Sequence, residues 1–90
     1  MPTVTDNPSE SRFAMAVDGH TAFVVYRRAE LNIHLLHAEV PPELEGRGVG
    51  SALVRATLDA IRPMGLKVVP RCPFIAAFIA KNPAYADMLA

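Results

Sequence analysis

The chain has a single cysteine, Cys72, so no intrachain disulfide can staple it. Its only histidines, His20, His34 and His37, are scattered and make no zinc-ligand spacing with that thiol, so no structural metal is expected. An excess of one charge is also missing. Nine basic and nine acidic residues cancel, which leaves no strong field to draw the chain onto nucleic acid or an anionic membrane. No apolar run reaches the length of a membrane span, and Met1 to Glu10 contain neither the basic nor the apolar region of a secretory leader. A cytoplasmic location is therefore expected. Internal repeats and low-complexity segments are lacking too.

Ninety residues, 51% of them hydrophobic, suffice for one small core and leave no room for a second domain. Residues 1–10 are polar and interrupted by proline, and read as a flexible lead-in to a domain over 11–90. Phe13, Met15 and Val17 alternate with smaller residues up to Asp18-Gly19, a pair that closes hairpins, and His20 to Arg27 is β-rich. A third strand spans Asn32 to Val40 and is ended by Pro41-Pro42, neither of which can donate to a ladder. From Val49 to about Arg62 the period becomes helical. Val49, Leu53, Ala56, Thr57 and Ala60 lie on one arc, with Val54 and Ile61 at its edge and Ser51, Arg55, Asp59 and Arg62 opposite. Pro63 and Gly65 end this helix. Leu66 to Val69 reads as a short buried strand, Phe74 to Lys81 as a second helix, and Pro83 to Met88 as a last turn. The expected class is α+β, in the order βββαβα, with a mainly antiparallel mixed sheet and two helices.

The most informative stretch is Glu45-Gly46-Arg47-Gly48-Val49-Gly50-Ser51, three glycines in five residues directly before the first helix. Glycine allows sharp turns and close approach, and the free N–H groups of a first helical turn point at whatever anion sits there. The same pattern also serves as a tight turn with close helix–strand packing, and the local residues leave both readings open. A Walker loop is excluded because Ser51-Ala52, not a lysine, follows Gly50. A dinucleotide fingerprint is excluded because Leu53 stands where its third glycine would fall.

What remains is the spacing x-x-x-Gly-x-Gly, and here the chain resembles the GNAT superfamily of N-acetyltransferases, whose pyrophosphate loop reads Arg/Gln-x-x-Gly-x-Gly/Ala. Gly48 and Gly50 match, while Glu45 stands where that family carries Arg or Gln. Leu35 to Val40 upstream, and Leu66 to Phe74 with Asn82-Pro83-Ala84-Tyr85 downstream, resemble a small single-domain subfamily with a Cys-Pro-Phe motif. The likeness runs from about Phe13 to Met88. It implies a minimal acyl-CoA N-acyltransferase fold and acetyl-CoA as cosubstrate, held between the splayed ends of two parallel strands. Its diphosphate would rest on the amides of Arg47 to Ser51, with Val40, Glu45 and Gly46 beside it and the Val40 N–H polarising the thioester carbonyl. An amine, small molecule or protein, would be the acceptor, and the expected state is a monomer or weak homodimer.

Three side chains carry the expected chemistry. His37 and Glu39 are two apart on the strand before the loop, so they share a face about 6 to 7 Å apart along it. A carboxylate or neutral imidazole there can accept the proton that an attacking amine loses, and Glu39 resembles the strand glutamate that acts as general base in some family members. The competing reading is an exposed strand end and a packing histidine. Cys72 precedes the second helix, where the dipole favours a thiolate. The resemblance makes it the acid that protonates departing CoA, or a nucleophile; a small buried hydrophobe is the alternative. The tyrosine that many family members use as acid is absent from the second helix, which has Phe78, and Tyr85 is the only downstream phenol. Arg47 and Arg55 are further candidates for phosphate contact, and Phe74, Phe78 and Ile79 for the pantetheine arm or the core. Against acetyl transfer stand two alternatives: a CoA-binding or regulatory module with little turnover, and a plain interaction domain.

Overall fold

The computed structural model describes residues 3–90. Five strands, β1 (Thr5–Asn7), β2 (Arg12–Val17), β3 (His20–Ala29), β4 (Asn32–Glu39) and β5 (Lys67–Pro70), form one sheet in sequential order. The first four pair antiparallel, and β5 pairs parallel to β4 after the crossover helix α1 (Val49–Ile61). Helix α2 (Pro73–Lys81) and 3-10 turns over Pro83–Met88 complete the chain. The α+β class and the mixed sheet with two helices are thus what the chain adopts.

Asp18 and Gly19 both hold positive φ, 48° and 79°, the mirror-image turn whose twist suits a two-residue hairpin. Proline sets the other boundaries. Pro70 is the last residue of β5, and Pro73 opens α2 at a position whose N–H would be unpaired in any case. The inner face of the sheet carries Phe13, Met15, Val24, Ile33 and Leu35, each 0–1% exposed, and both helices pack into the same core.

Two expectations need correction. The segment expected to be a flexible lead-in holds β1, so the order is ββββαβα. Residues 1 and 2 lie outside the described ones, but Thr5–Asn7 is in register with Arg12–Ala14, and the Tyr26 hydroxyl donates to Asp6 Oδ1 at 2.6 Å. Three residues are too few to display an alternation, and the contact that fixes them comes from a strand twenty positions away. The second correction concerns α1. It buries Val49, Leu53, Val54, Thr57, Leu58 and Ile61, while Ala56 and Ala60 are only partly covered. The helix turns its larger flank inward because Val, Leu and Ile remove far more apolar area from water than alanine.

The C-terminal turns are clasped onto α1. Tyr85 donates to Asp59 Oδ1 at 2.8 Å, and the Arg62 guanidinium reaches Asp87 at 2.8 Å and the Ala84 carbonyl at 2.9 Å. That bonding raises the Arg62 pKa and lowers the Asp87 carboxyl, while burial, with help from Asp59, raises the Tyr85 phenol. The Ala90 amide then donates to the Val68 carbonyl at 3.0 Å, laying the chain end along the outer edge of β5. No helix among the described residues is long and apolar enough to cross a membrane.

Two measurements probe this core. The Thr57 hydroxyl is fully buried and has no hydrogen-bond partner among the described residues. Thr57→Val keeps the shape and removes that unpaired group, so it should raise unfolding free energy by about 1 kcal/mol in denaturant titrations; a loss of stability would mean the hydroxyl is paired. The Tyr26 phenol is pushed up from 10.0 to about 12, chiefly by burial and then by its bond to Asp6. Folding favours the neutral phenol, so this stabilisation is complete below the unfolded value and is lost as the pH rises from 10.0 through about 12. Ring resonances should show Tyr26 ionising near 12, and Asp6→Ala should move it part of the way back. Ionisation at the ordinary tyrosine value in the wild type would contradict the docking of β1.

Candidate functional site

The sheet forks at Leu35. Pairing of β4 with β5 runs from Asn32↔Lys67 to Leu35↔Pro70 and stops there. Beyond it, the amides of Arg71 and Cys72 both donate to the Leu35 carbonyl, at 2.9 and 3.2 Å, and the chain turns away into α2. Among the described residues, β4 has no strand partner on this side from Leu36 onward.

The next residue is a bulge. Val25 pairs with His37 and Tyr26 with Leu35, so Leu36 is the extra residue on β4. A bulge re-aims the side chains that follow it. Ile33 and Leu35 are buried before it; after it Ala38 and Val40 are the half-buried residues, packed against the core, and His37 and Glu39 are exposed. His37 Nε2 lies 3.4 Å from Glu39 Oε1, so the two do share a face and are in contact. Strict alternation would have put both on the face of Ile33 and Leu35. Leu36 is the site-forming residue that the sequence reading lacked, since no local turn residue marks the bulge.

A cleft of about 550 Å³ opens at the fork. Ala38 and Glu39 of β4, with Val40 just after it, form one wall, and Phe74 of α2 lies across from them. Leu44, Glu45, Gly46, Gly48, Val49, Gly50 and Ser51 complete the lining, so the glycine loop and the start of α1 close one end. Gly46 and Gly48 hold φ of 77° and 74°, a region costly for other residues, which explains two of the three glycines. Gly50 has a different reason. A Cβ on it would come within 3.1 Å of the Phe74 ring and 3.7 Å of Val40, so its bare backbone keeps the space between helix and strand open. The Ala52 amide is the first of α1 to be paired, to the Gly48 carbonyl at 3.1 Å, and the amides of Val49, Gly50 and Ser51 before it have no intrahelical acceptor.

The candidate residues separate into groups. Val40, Glu45, Gly46, Gly48, Val49, Gly50 and Ser51 all line the cleft, and so does Glu39. Arg47 does not; its guanidinium is paired with Asp18 in the β2–β3 turn. Arg55 stacks on the rings of Phe78 and Tyr85 and bonds Asn82 Oδ1 at 3.1 Å. Tyr85 is held on Asp59 and is absent from the cleft lining. Cys72 stands at the fork through its amide, but it is 8% exposed, packed in the core and outside the cleft lining. Phe78 and Ile79 are core residues, whereas Phe74 is 49% exposed on the cleft lip. Among the described residues no three His, Cys, Asp or Glu side chains converge as a metal site would require. The cleft therefore offers unpaired backbone donors, an open strand edge and one carboxylate–imidazole pair at its mouth.

The arrangement has close counterparts. A GCN5-like protein from Staphylococcus aureus, solved by NMR in solution, superposes with a TM-score of 0.73 at 28% identity, over 97% of this chain and 86% of that one. Protein NATD1 from Bos taurus and from Homo sapiens is 35% identical over 51 residues, which is 57% of this chain and 45% of theirs. This chain thus spans less than half the length of those relatives. The model of the GCN5-related N-acetyl-transferase family matches residues 12–88, from β2 through the C-terminal turns, and takes in the fork, the glycine loop and both helices. The chain belongs to the GCN5-related N-acetyltransferase family.

Proposed function

We propose that the protein transfers an acetyl group from acetyl-CoA to an amine by direct attack. The observation that carries this reading is the fork: a strand edge left without a partner, leading into the free amides of Val49, Gly50 and Ser51. An extended pantetheine amide chain can pair with such an edge as a missing strand would. A diphosphate fits the amide cluster, where no side chain intrudes from positions 46, 48 or 50. Acetyl-CoA supplies the activated thioester; the protein binds and orients it.

Glu39, at the cleft mouth, accepts the proton that the amine loses as its nitrogen forms a bond to the carbonyl carbon. His37, in contact with it, passes that proton to solvent. The Val40 amide, just past β4, polarises the carbonyl oxygen, and the C–S bond breaks to release CoA as thiolate, which takes a proton from water. Cys72 has a packing role in this account, and no acetyl-enzyme forms. A second reading has its own support. Glu45 and Glu39 both line the cleft and no cation does, a charge balance that suits weak cosubstrate binding and a module with little turnover.

Calorimetry with acetyl-CoA and CoA, followed by an amine panel screened for free-thiol release, separates these readings. Binding with thiol release, unchanged per folded molecule in Cys72→Ala, is expected. Binding without release favours the module, and no binding leaves a plain interaction domain. Gly50→Glu should weaken acetyl-CoA binding by more than about tenfold, because it fills the gap to Val40 and adds an unpaired charge beside the diphosphate. Gly50 has ordinary backbone angles and Phe74 can yield, so the fold should survive.

Position 45 provides a separate check. Glu45→Arg should tighten binding by up to about 1 kcal/mol if this side chain faces the phosphates. An unchanged affinity would remove it from the site.

A further inference from the structure

The cleft continues past its rim. Ser51 and Phe74 also line a second groove of about 300 Å³, between the first turns of α1 and the outer face of α2. Its walls include Arg55 and Lys81. The two spaces differ in charge, since the cleft lining carries two carboxylates and no cation, whereas the groove carries two cations and no carboxylate.

The cations near the loop are not equally available. Arg47 is paired with Asp18, and Arg55 is bonded to Asn82 and Tyr85 while its plane rests on Phe78. Lys81, exposed at the C-terminal end of α2, has no hydrogen bond or ion pair among the described residues. Between cleft and groove, the half-exposed ring of Phe74 offers a flat apolar surface.

We propose that Lys81 binds the 3′-phosphate of coenzyme A in this groove and so lets the protein distinguish CoA from dephospho-CoA. The inference rests on the acetyl-CoA reading above and specifies which end of the ligand this chain reads by charge. With the pantetheine along the edge of β4 and the diphosphate on the Val49–Ser51 amides, the nucleoside continues past Ser51, which with Phe74 is common to both spaces. One helical turn, about 5.4 Å, separates Ser51 from Arg55, and the Lys81 ammonium on its flexible four-carbon stem can cover the remaining distance. The base then lies against Phe74 and the 3′-phosphate falls among the groove's cations. The negative cleft explains why the compensating charge has to come from next door.

The test compares CoA with dephospho-CoA by calorimetry at low salt, in wild type, Lys81→Ala and Arg47→Ala. Wild type should favour CoA by about three- to fivefold, as one exposed charge pair allows, and added salt should shrink the preference. Lys81→Ala should bind both ligands alike, near the wild-type affinity for dephospho-CoA, and Arg47→Ala should keep the preference. Equal binding of both ligands by wild type would overturn the proposal while leaving the acetyl-CoA reading intact, as would loss of the preference in Arg47→Ala alone. Failure of wild type to bind either ligand would overturn both. Lys81 is exposed and unpaired, so circular dichroism of Lys81→Ala should match wild type; Lys81→Glu should reverse the preference.

Discussion

The Leu35 carbonyl is the atom on which the site depends. It accepts the amides of both Arg71 and Cys72, and by doing so it ends the parallel ladder and commits β5 to turn into α2. A sheet that kept pairing to Glu39 would cover the edge of β4 and close the cleft. A sheet that ended at Asn32↔Lys67 would lose the Ile33↔Val68 pair, both of whose side chains are fully buried. The fork is thus a compromise between core and function.

Around that point the elements divide the work. The bulge at Leu36 turns His37 and Glu39 to solvent without disturbing the buried pair before it. Gly46 and Gly48 provide the turn into α1, and Gly50, having no Cβ, lets Phe74 and Val40 lie close to its first helical turn. The other end of α1 is concerned with structure. Arg55, Asp59 and Arg62 hold the segment from Asn82 to Asp87, and with it the position of α2 beside the cleft. Only the Arg62–Asp87 contact among these is an ion pair, exposed and of small individual worth. The buried ring of Tyr85, tilted against Phe78 at 6.0 Å, adds the apolar part of the clasp.

Much of the fold was legible because its local signals agree. The Asp18-Gly19 turn, Pro41-Pro42, Pro63 with Gly65, and the prolines at 70 and 73 each mark a boundary within a residue or two of its true place. The features that stayed hidden depend on partners far along the chain. Strand β1 is three residues held by β2 and Tyr26. The bulge is a register shift between β3 and β4, invisible in either strand alone. On α1 the periodicity favours Ala56 and Ala60 over Leu58, because it gives an arc but not which flank of it the sheet will cover. The glycine loop was readable as a turn into a helix, whereas Arg47's pairing with Asp18 was not, since that aspartate lies twenty-nine positions away. Cys72 illustrates the same limit: its place before a helix was plain in the sequence, and its burial follows from the packing of α2 against the sheet.

The central claim is that the open edge of β4 and the first amides of α1 form one continuous binding surface. Backbone amide shifts followed by NMR during titration with acetyl-CoA test it most directly. The account predicts that the largest changes fall on Ala38 to Val40 and on Gly46 to Ser51, with the outer face of β2 and β3 unmoved. Changes concentrated on that outer face, or an unperturbed Gly48 to Ser51 at saturating ligand, would contradict it.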